Sequence, residues 1–463
     1  MMPMNPMDSF LISPKIIPPL DAAFRPAALA TRAFAKAVRA SNPVPVQIGL
    51  EQGDGSVTHF KTEVFPASHK NAAANFPHVE RLIKFLLWSR GGYRVHFVGP
   101  ADIGKQLQDY FKTTATGKFD ANIMGERIYE KPFEVVLASA LPPERSRTTA
   151  LGRHTEGCRI GFDLGASDRK AAGVIDGKVV FSEERLWSPV QQTDPQWHFN
   201  EIMDSLKRAA EHLPRVDAIG GSSAGVYVNN RVMVASLFRG VPTGVFNARV
   251  KDLFLQIKKA WKDIPFEIVN DGEVTALAGS MSLNENAVLG VAMGSSEAAG
   301  FVTPEGRITT WLNELAFAPV DYNPTGPIDE WSGDRGVGAQ YFSQQCVGRL
   351  IPVAGIQAEG GLPEKLKHVQ ALMDKGDERA RKIYETIGIY LGYGTAHYAT
   401  FYACRHVLVL GRVTTGPGGT IIVENAKRVL REEFPELNIQ FHVPDEKEKR
   451  HGQAIAAASL PKI

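Results

Sequence analysis

Apolar and polar positions alternate on both sides of a polar turn in RIGFDLGASDRKAAGVIDGKVV, residues 159–180. This pattern predicts a strand, a tight turn and a second strand. Small residues in such a turn let backbone N–H groups approach a phosphate, and a carboxylate at the strand end can hold Mg²⁺ through water. Asp163 is the candidate metal residue, and Gly165, Ser167 and Lys170 are the candidate phosphate residues. The alternative is a plain surface hairpin.

The same design recurs in LGVAMGSSEAAGFV, residues 289–302. An apolar strand leads into a turn of Gly294, Ser295 and Ser296, and a strand of small residues follows. Two such hairpins, one in each of two related halves, can grip a polyphosphate from opposite sides. The second turn is therefore also predicted to bind phosphate.

A glycine-rich turn, GRVTTGPGG at 411–419, follows the apolar run VLVL and precedes a helical pattern. The N-terminus of a helix after such a turn is a suitable place for part of a nucleotide. Gly411, Gly416 and Gly418 are the candidates, and a flexible strand-to-helix loop is the alternative.

Strand and helix patterns alternate through most of the chain, which favours an α/β fold with active residues at strand ends. The order of strand pair, strand and helix begins near Arg159 and starts again near Asn286. A stretch without periodicity, 141–157, is predicted to be a linker. We therefore divide the chain into an N-terminal block with its Pro-rich arm, a first half and a second half: residues 1–155, 156–285 and 286–463.

The composition excludes several classes of protein. With 52 Lys and Arg against 50 Asp and Glu, the net charge of +2 gives no basic surplus for nucleic acid or an anionic membrane. The apolar runs are too short to span a bilayer. The three cysteines, Cys158, Cys346 and Cys404, lack the spacing of a zinc or disulfide framework. A cytoplasmic protein is expected.

An acid follows another predicted strand in IVNDGEVTALAG, where Asn270 and Asp271 precede a helical pattern. A carboxylate at a strand end, facing a cleft, is well placed to act as a general base toward a hydroxyl. The alternative is that Asp271 only caps the helix that follows.

The turns DLGAS and MGSSEAAG, the strand end GGSSAG, the segment VNDGEVTALAG and the turn LGRVTTGPGG occur in an order that resembles the actin-like ATPase superfamily. Within it, the likeness is greatest to the ROK family (repressor, open reading frame, kinase), over about residues 159–460. The resemblance implies two ribonuclease-H-like α/β lobes with an ATP cleft between them, here preceded by a smaller N-terminal α/β domain. It also implies Mg-ATP as the phosphate source.

The resemblance implies a role for each matching residue. Asp163 and Gly165 fill the Asp-x-Gly places of the phosphate hairpin, and Asp271 fills the place of the general base. Asn270 and Glu314 fill places that contact the acceptor. Glu314 also has the alternative of being an ordinary surface acid.

Four departures from the family pattern concern the nucleotide and the acceptor. One residue is inserted in the first turn between 165 and 170. In the second turn Ser295, Ser296 and Glu297 replace a glycine-dominated run, and Glu297 would repel phosphate unless it points away or meets a metal. Phe317 occupies the place of an acceptor-binding histidine. The family's cysteine-rich zinc loop is replaced by residues 322–346, which contain one cysteine, so no structural zinc is expected.

These observations predict an ATP-dependent kinase that phosphorylates a hydroxyl of a small polar acceptor, a sugar or a cyclitol. The alternative is a non-catalytic sensor of a sugar or nucleotide. No DNA-binding helix-turn-helix precedes the ROK-like region, and a homodimer is the expected assembly. A near match to a phosphate loop, GPADIGKQ at 99–106, has Gln106 where a hydroxyl would bind magnesium, and it is interpreted as a strand-to-helix junction.

Overall fold

The structure is a computed structural model that describes residues 6–145, 151–165, 167–444 and 446–463, with side chains described outside 446–451. Part of the predicted linker, 146–150, and Ala166 of the first turn lie outside the described residues. The fold is mixed α/β, as predicted, with three sheets of four or five strands and a small hairpin sheet.

The N-terminal block forms a four-stranded sheet of order β2-β1-β3-β4 with helices packed against it. Strands β1 and β2 form an antiparallel hairpin on either side of Gly53-Asp54-Gly55. The elements are α1 (Ala27–Arg39), β1 (Val44–Glu51), β2 (Val57–Val64), α2 (Asn75–Arg90), β3 (Arg94–Val98), α3 (Ala101–Thr113), α4 (Ala115–Ala121) and β4 (Glu134–Leu137).

The first half forms a five-stranded sheet of order β11-β8-β5-β6-β7. Strands β11, β8 and β5 are parallel, so their carboxyl ends meet at one edge. The predicted hairpin at 159–180 is confirmed as β5–β6. The elements are β5 (Cys158–Leu164), β6 (Asp168–Ile175), β7 (Lys178–Leu186), α5 (Pro195–Ala210), β8 (Ala218–Ser223), β9 (Val226–Val228), β10 (Arg231–Val234), α6 (Thr243–Val245), α7 (Leu253–Ala260), β11 (Phe266–Asn270) and α8 (Asp271–Leu283).

The second half forms a four-stranded sheet of order β13-β12-β14-β15, in which the hairpin predicted at 289–302 is confirmed as β12–β13. Strands β12 and β14 are parallel, as β5 and β8 are. The two halves thus repeat a hairpin followed by a parallel strand. The elements are β12 (Val288–Met293), β13 (Glu297–Val302), α9 (Gln344–Val353), α10 (Leu362–Asp374), α11 (Glu378–Tyr398), β14 (His406–Leu410), α12 (Pro417–Glu433), β15 (Gln440–His442) and α13 (Glu446–Ala458).

Helix α8 joins the two halves through close backbone contact. A Cβ added to Gly300 on β13 would lie 2.2 Å from the carbonyl oxygen of Gly272, and one added to Gly272 would lie 2.2 Å from that of Ala299. Only glycine allows this approach. The last helix, α13, returns to pack on α8 and β5, so the chain crosses between the halves twice.

The N-terminal block and the second half share one hydrophobic cluster, which includes Leu86 of α2 and Ile387 of α11, both fully buried. The Pro-rich arm continues this contact, because Phe24 packs on the ring of Tyr390 and Asp21 accepts a hydrogen bond from the same tyrosine at 2.5 Å. The block is therefore packed as part of the second half's core.

The described residues contain no helix of the length and hydropathy needed to cross a bilayer. Nor do they bring three His, Cys, Asp or Glu side chains together in a group that could hold a metal ion.

Candidate functional site

Strands β5 and β8 bring Asp163 and Ser222 together at the edge where the parallel strands end. The Ser222 hydroxyl donates a hydrogen bond of 2.5 Å to Asp163 Oδ1. Burial raises the pKa of the Asp163 carboxyl, and the nearby Lys170 ammonium opposes that shift. Asp163 is thus a partly buried acid in a polar setting, at the position where the sequence predicts a metal residue.

The turn of the first hairpin gathers two carboxylates around one ammonium. Lys170 Nζ lies 3.6 Å from Asp163 Oδ2 and 3.2 Å from Asp168 Oδ1. The turn is closed by a 2.9 Å bond from the Gly165 amide to the Asp168 carbonyl. Ser167 is exposed, and its hydroxyl bonds the Asp168 carboxylate at 3.0 Å.

The first turn offers the oxygen ligands that Mg²⁺ prefers. Asp163, Asp168 and Ser222 supply two carboxylates and a hydroxyl, and one lysine leaves this group with net negative charge. Mg²⁺ is usually held by one or two carboxylates together with substrate phosphates and water. The residues present therefore fit the predicted ion.

Asp271 is the first residue of α8, but Asn270 provides the helix cap. The Asn270 side-chain oxygen accepts a 2.7 Å bond from the Gly272 amide, which is the bond expected of an N-cap. The Asp271 carboxylate also accepts from the Gly272 amide, at 3.0 Å, so both side chains contribute to the start of the helix. Burial, with a contribution from the negative charge of Asp163, raises the pKa of Asp271 to about 6.

Asn270, at the end of β11, contacts residues 313–334, which we call the acceptor-side segment. Its side-chain nitrogen donates to the Gly225 carbonyl at 2.8 Å and to Glu314 Oε1 at 3.4 Å. Burial and the charge of Asp271 raise the pKa of Glu314 to about 7. Glu314 is partly buried and faces Asn270, which is not the setting of an ordinary surface acid.

Three further groups in or beside this cluster were not predicted from the sequence: Ser222, Tyr227 and Glu273. Tyr227, the middle residue of β9, lies near Asp271. Burial raises the pKa of Tyr227, and the negative charge of Asp271 adds to that shift. Glu273, two residues into α8, is buried, and burial raises its pKa to about 8. The strand end GGSSAG was the available signal for Ser222, whereas no local signal marks Tyr227.

The second hairpin buries its acid instead of presenting it at the turn. Glu297 is 3% exposed, accepts a hydrogen bond from the Tyr398 hydroxyl at 2.9 Å, and has its pKa raised by burial to about 8. The turn itself is closed by a 3.0 Å bond from the Gly294 amide to the Ser296 carbonyl. Ser295 and Ser296 are exposed, so the turn presents two hydroxyls without the carboxylate.

The third turn packs on the second hairpin. Gly411 has φ +101°, and an added Cβ would lie 2.5 Å from the carbonyl oxygen of Met293, at the end of β12. Gly416, with φ +76°, precedes the first residue of α12, and Gly418 lies against the ring of Tyr384. The structure thus places Gly411 beside the end of β12, and Gly416 and Gly418 at the start of α12.

Phe317 of the acceptor-side segment packs between aromatic rings. Its ring packs on Trp88 of α2, with centroids 4.4 Å apart, and on Trp331, with centroids 5.9 Å apart. The place that the family gives to a histidine is therefore part of an aromatic cluster that includes the N-terminal block.

Comparisons with known proteins identify the fold. No protein-family model matches the sequence, and a search of the curated proteins finds no match. A ROK hexokinase from Thermus thermophilus aligns with a TM-score of 0.50 and 17% identity, over 65% of this chain and 97% of that chain. A ROK-family transcriptional regulator, a homolog of the E. coli MLC protein, aligns with a TM-score of 0.53 and 18% identity, over 65% and 78% of the two chains.

At these identities the comparisons establish the fold, which is that of ROK-family proteins. The predicted resemblance is confirmed at this level. The same fold occurs in a kinase and in a regulator, so activity has to be argued from the site.

Proposed function

We propose that this protein transfers the γ-phosphoryl group of ATP to a hydroxyl of a small polar acceptor, a sugar or a cyclitol. The observation that carries this proposal is the position of Asp271. It follows parallel strand β11, lies beside Asp163 and Glu314, and has a pKa of about 6 because of burial and the Asp163 charge. A carboxylate with a pKa near the working pH is suited to general base catalysis.

In this proposal Asp271 accepts the proton of the acceptor hydroxyl as that oxygen attacks the phosphorus atom. Asn270 and Glu314, which bond one another at 3.4 Å, bind and orient other hydroxyls of the acceptor. Correct orientation contributes much of the rate in such reactions, because the phosphoryl group needs in-line attack. A hydroxyl-rich acceptor fits this set of acid and amide side chains.

The phosphate end of the proposed site is made by the three turns. Gly165, Ser167 and Lys170 would bind phosphate oxygens from one side, and Gly294, Ser295 and Ser296 from the other. Gly411, Gly416 and Gly418 would lie along the nucleotide. Mg²⁺ held near Asp163 would neutralise phosphate charge when bound.

A non-catalytic sensor is the second candidate. Two observations favour it: Phe317 is packed in an aromatic cluster where the family has a histidine, and a ROK transcriptional regulator shares the fold. The presence of Asp163 and Asp271 favours the kinase.

The test is ADP release from Mg-ATP with hexoses, amino sugars, cyclitols and nucleosides as acceptors. We expect turnover with one acceptor class and a loss of about 10²- to 10⁴-fold in Asp271→Asn, the contribution typical of a general base. Glu359→Gln, at an exposed acid far along the chain, is the matched control and should leave turnover unchanged. Binding of ATP and a sugar without turnover of any acceptor would contradict the kinase and favour the sensor.

A further inference from the structure

Helix α2 of the N-terminal block lies directly behind the acceptor-side segment. The last carbonyls of a helix have no partner within it. Here the Ser89 carbonyl accepts the Asn313 amide at 2.9 Å, and the Trp88 carbonyl accepts the Glu314 amide at 2.9 Å. The backbone of the candidate acceptor-binding residue is therefore bonded to the end of α2.

The middle of α2 binds the same segment a second time, through its charges. Arg81 Nη1 lies 3.0 Å from Asp334 Oδ2, and Lys84 Nζ lies 2.7 Å from it. Lys84 is fully buried and also binds Asp120 at 2.9 Å, and Asp120 accepts a 2.9 Å bond from Trp88 Nε1. Although burial alone would raise it, the charges of Arg81 and Lys84 hold the pKa of Asp334 well below its usual range.

Asp334 belongs to a tightly bonded loop. The carboxylate of Asp329 accepts bonds of 2.7 Å from both the amide and the hydroxyl of Ser332, and the Gly333 amide donates to the Asp329 carbonyl at 2.9 Å. Trp331, in this loop, stacks on Phe317, which packs on Trp88. The segment 313–334 is thus bound to α2 at both ends, and through the Phe317 ring near its start.

Each of the two cations on α2 that bind Asp334 also has another carboxylate partner. Arg81 pairs with Glu80 at 2.6 Å, and Lys84 pairs with Asp120. These two pairs are balanced without Asp334, which adds a third carboxylate from the loop. The Asp334 carboxylate and the Lys84 ammonium are both buried. Separating these opposite charges within the protein is costly, so the ion pair holds the loop on α2.

We infer that α2 positions Glu314 for the acceptor, and that Asp334 is the positioning residue through which α2 holds the acceptor-side segment. This inference rests on the proposed function for the role of Glu314. It gives the N-terminal block a part in acceptor binding without any contact between its side chains and the acceptor.

The test compares Asp334→Asn with the wild-type full chain. The substitution keeps the size of the side chain and leaves the Arg81–Glu80 and Lys84–Asp120 pairs in place. We expect the amides of 313–314 and 329–334 to exchange with deuterium at least about tenfold faster, because bonds in a freed segment open more often. In the ADP-release assay, the KM for the acceptor should rise at least about tenfold, while the KM for ATP stays within about twofold.

Asp21→Asn is the matched control. Like Asp334, Asp21 is a carboxylate that joins the N-terminal block to the second half. Its partners there, Arg349 and Tyr390, lie outside the segment 313–334. The control substitution should leave exchange at 313–314 and the acceptor KM unchanged. If Asp334→Asn does not fold, Phe317→Leu removes the central contact with Trp88 instead and should give the same split between the two KM values.

The outcomes separate the two proposals. Unchanged exchange in Asp334→Asn, equal effects in Asp21→Asn, or equal rises in both KM values would overturn the positioning role. If the wild-type protein phosphorylates no acceptor, the proposed function fails, while the exchange measurement still decides whether α2 holds the segment.

Discussion

The two strand hairpins have the same order of apolar strand, polar turn and small-residue strand, but their acids lie in opposite settings. Asp163 ends β5, where it meets a serine hydroxyl and a lysine at the edge of the sheet. Glu297 begins β13 and points into the core, where the Tyr398 hydroxyl binds it. Only the first acid is available to a ligand.

The register of each hairpin explains the difference. Asp163 stands opposite Lys170 across the strand pair, whereas Glu297 stands opposite the buried Met293. Side chains on one face of a strand pair share their environment, so an acid opposite a core residue is buried with it. Turn composition therefore predicts a hairpin, and the face of the strand decides what its acid can do.

The largest expected difference between the hairpins is in turnover. Asp163→Asn should lower kcat by about 10²-fold or more with the best acceptor, since it removes the carboxylate proposed to serve the metal. Glu297→Gln should change kcat by less than about twofold. Both are measured by ADP release, with circular dichroism as the check on folding. Equal losses in the two variants would break the comparison.

The next effect is the pH dependence of stability. Burial raises the pKa of Glu297 from 4.5 in the unfolded chain to about 8. Between these pH values the folded chain binds more protons at Glu297 than the unfolded chain does. The contribution of Glu297 to stability is therefore fully present below pH 4.5 and is lost as the pH rises through 8.

Glu297→Gln should remove this part of the pH dependence, up to about 4 kcal/mol between pH 5 and 8. Urea unfolding at several pH values measures it, and Glu359→Gln, at an exposed acid, is the control. If the free energy of unfolding changes with pH in the same way in the wild type and in Glu297→Gln, Glu297 is not buried as a protonated acid.

A smaller effect is expected where the third turn supports the second hairpin. Gly411→Ala places a methyl group 2.5 Å from the Met293 carbonyl oxygen at a φ of +101°. Strain of this kind costs about 1 to 3 kcal/mol. Gly416→Ala, at positive φ but with no heavy atom within 4 Å of the added Cβ, is the matched control and should cost less. Thermal unfolding compares the two, and equal costs would show that close packing on Met293 contributes nothing.

The smallest effect sharpens the role of the first hairpin. Because the Asp163 charge contributes to the raised pKa of Asp271, Asp163→Asn should lower that pKa from about 6 by up to about one unit. Titration of the Asp271 carboxyl carbon by NMR measures it. In the wild-type enzyme, turnover should rise with pH through about 6 as Asp271 loses its proton, and a pH-independent rate would contradict its role as the base.

Local patterns carried much of the prediction. The alternation around each turn predicted both hairpins, and an apolar run followed by an acid was enough to place Asp163 and Asp271 at strand ends. These features depend on neighbours in the sequence, so the sequence indicates them directly.

Features that depend on distant residues were not predictable. Lys84 and Asp334 are 250 positions apart, and neither has a local pattern that marks an ion pair. The burial of Glu297 depends on Tyr398 from a helix about a hundred residues further along the chain. The aromatic packing of Phe317 likewise requires Trp88 from another sheet's helix.

The core shared by the N-terminal block and the second half has a consequence for synthesis on the ribosome. The apolar surface of α2, which ends at Arg90, is made early, but the second half that packs on it begins near Val288, about two hundred residues later. At about 5 to 20 residues per second, the ribosome needs roughly 10 to 40 seconds to translate that interval. The nascent chain must keep this surface from aggregating throughout that time, which makes the block a natural client for chaperones that act during translation.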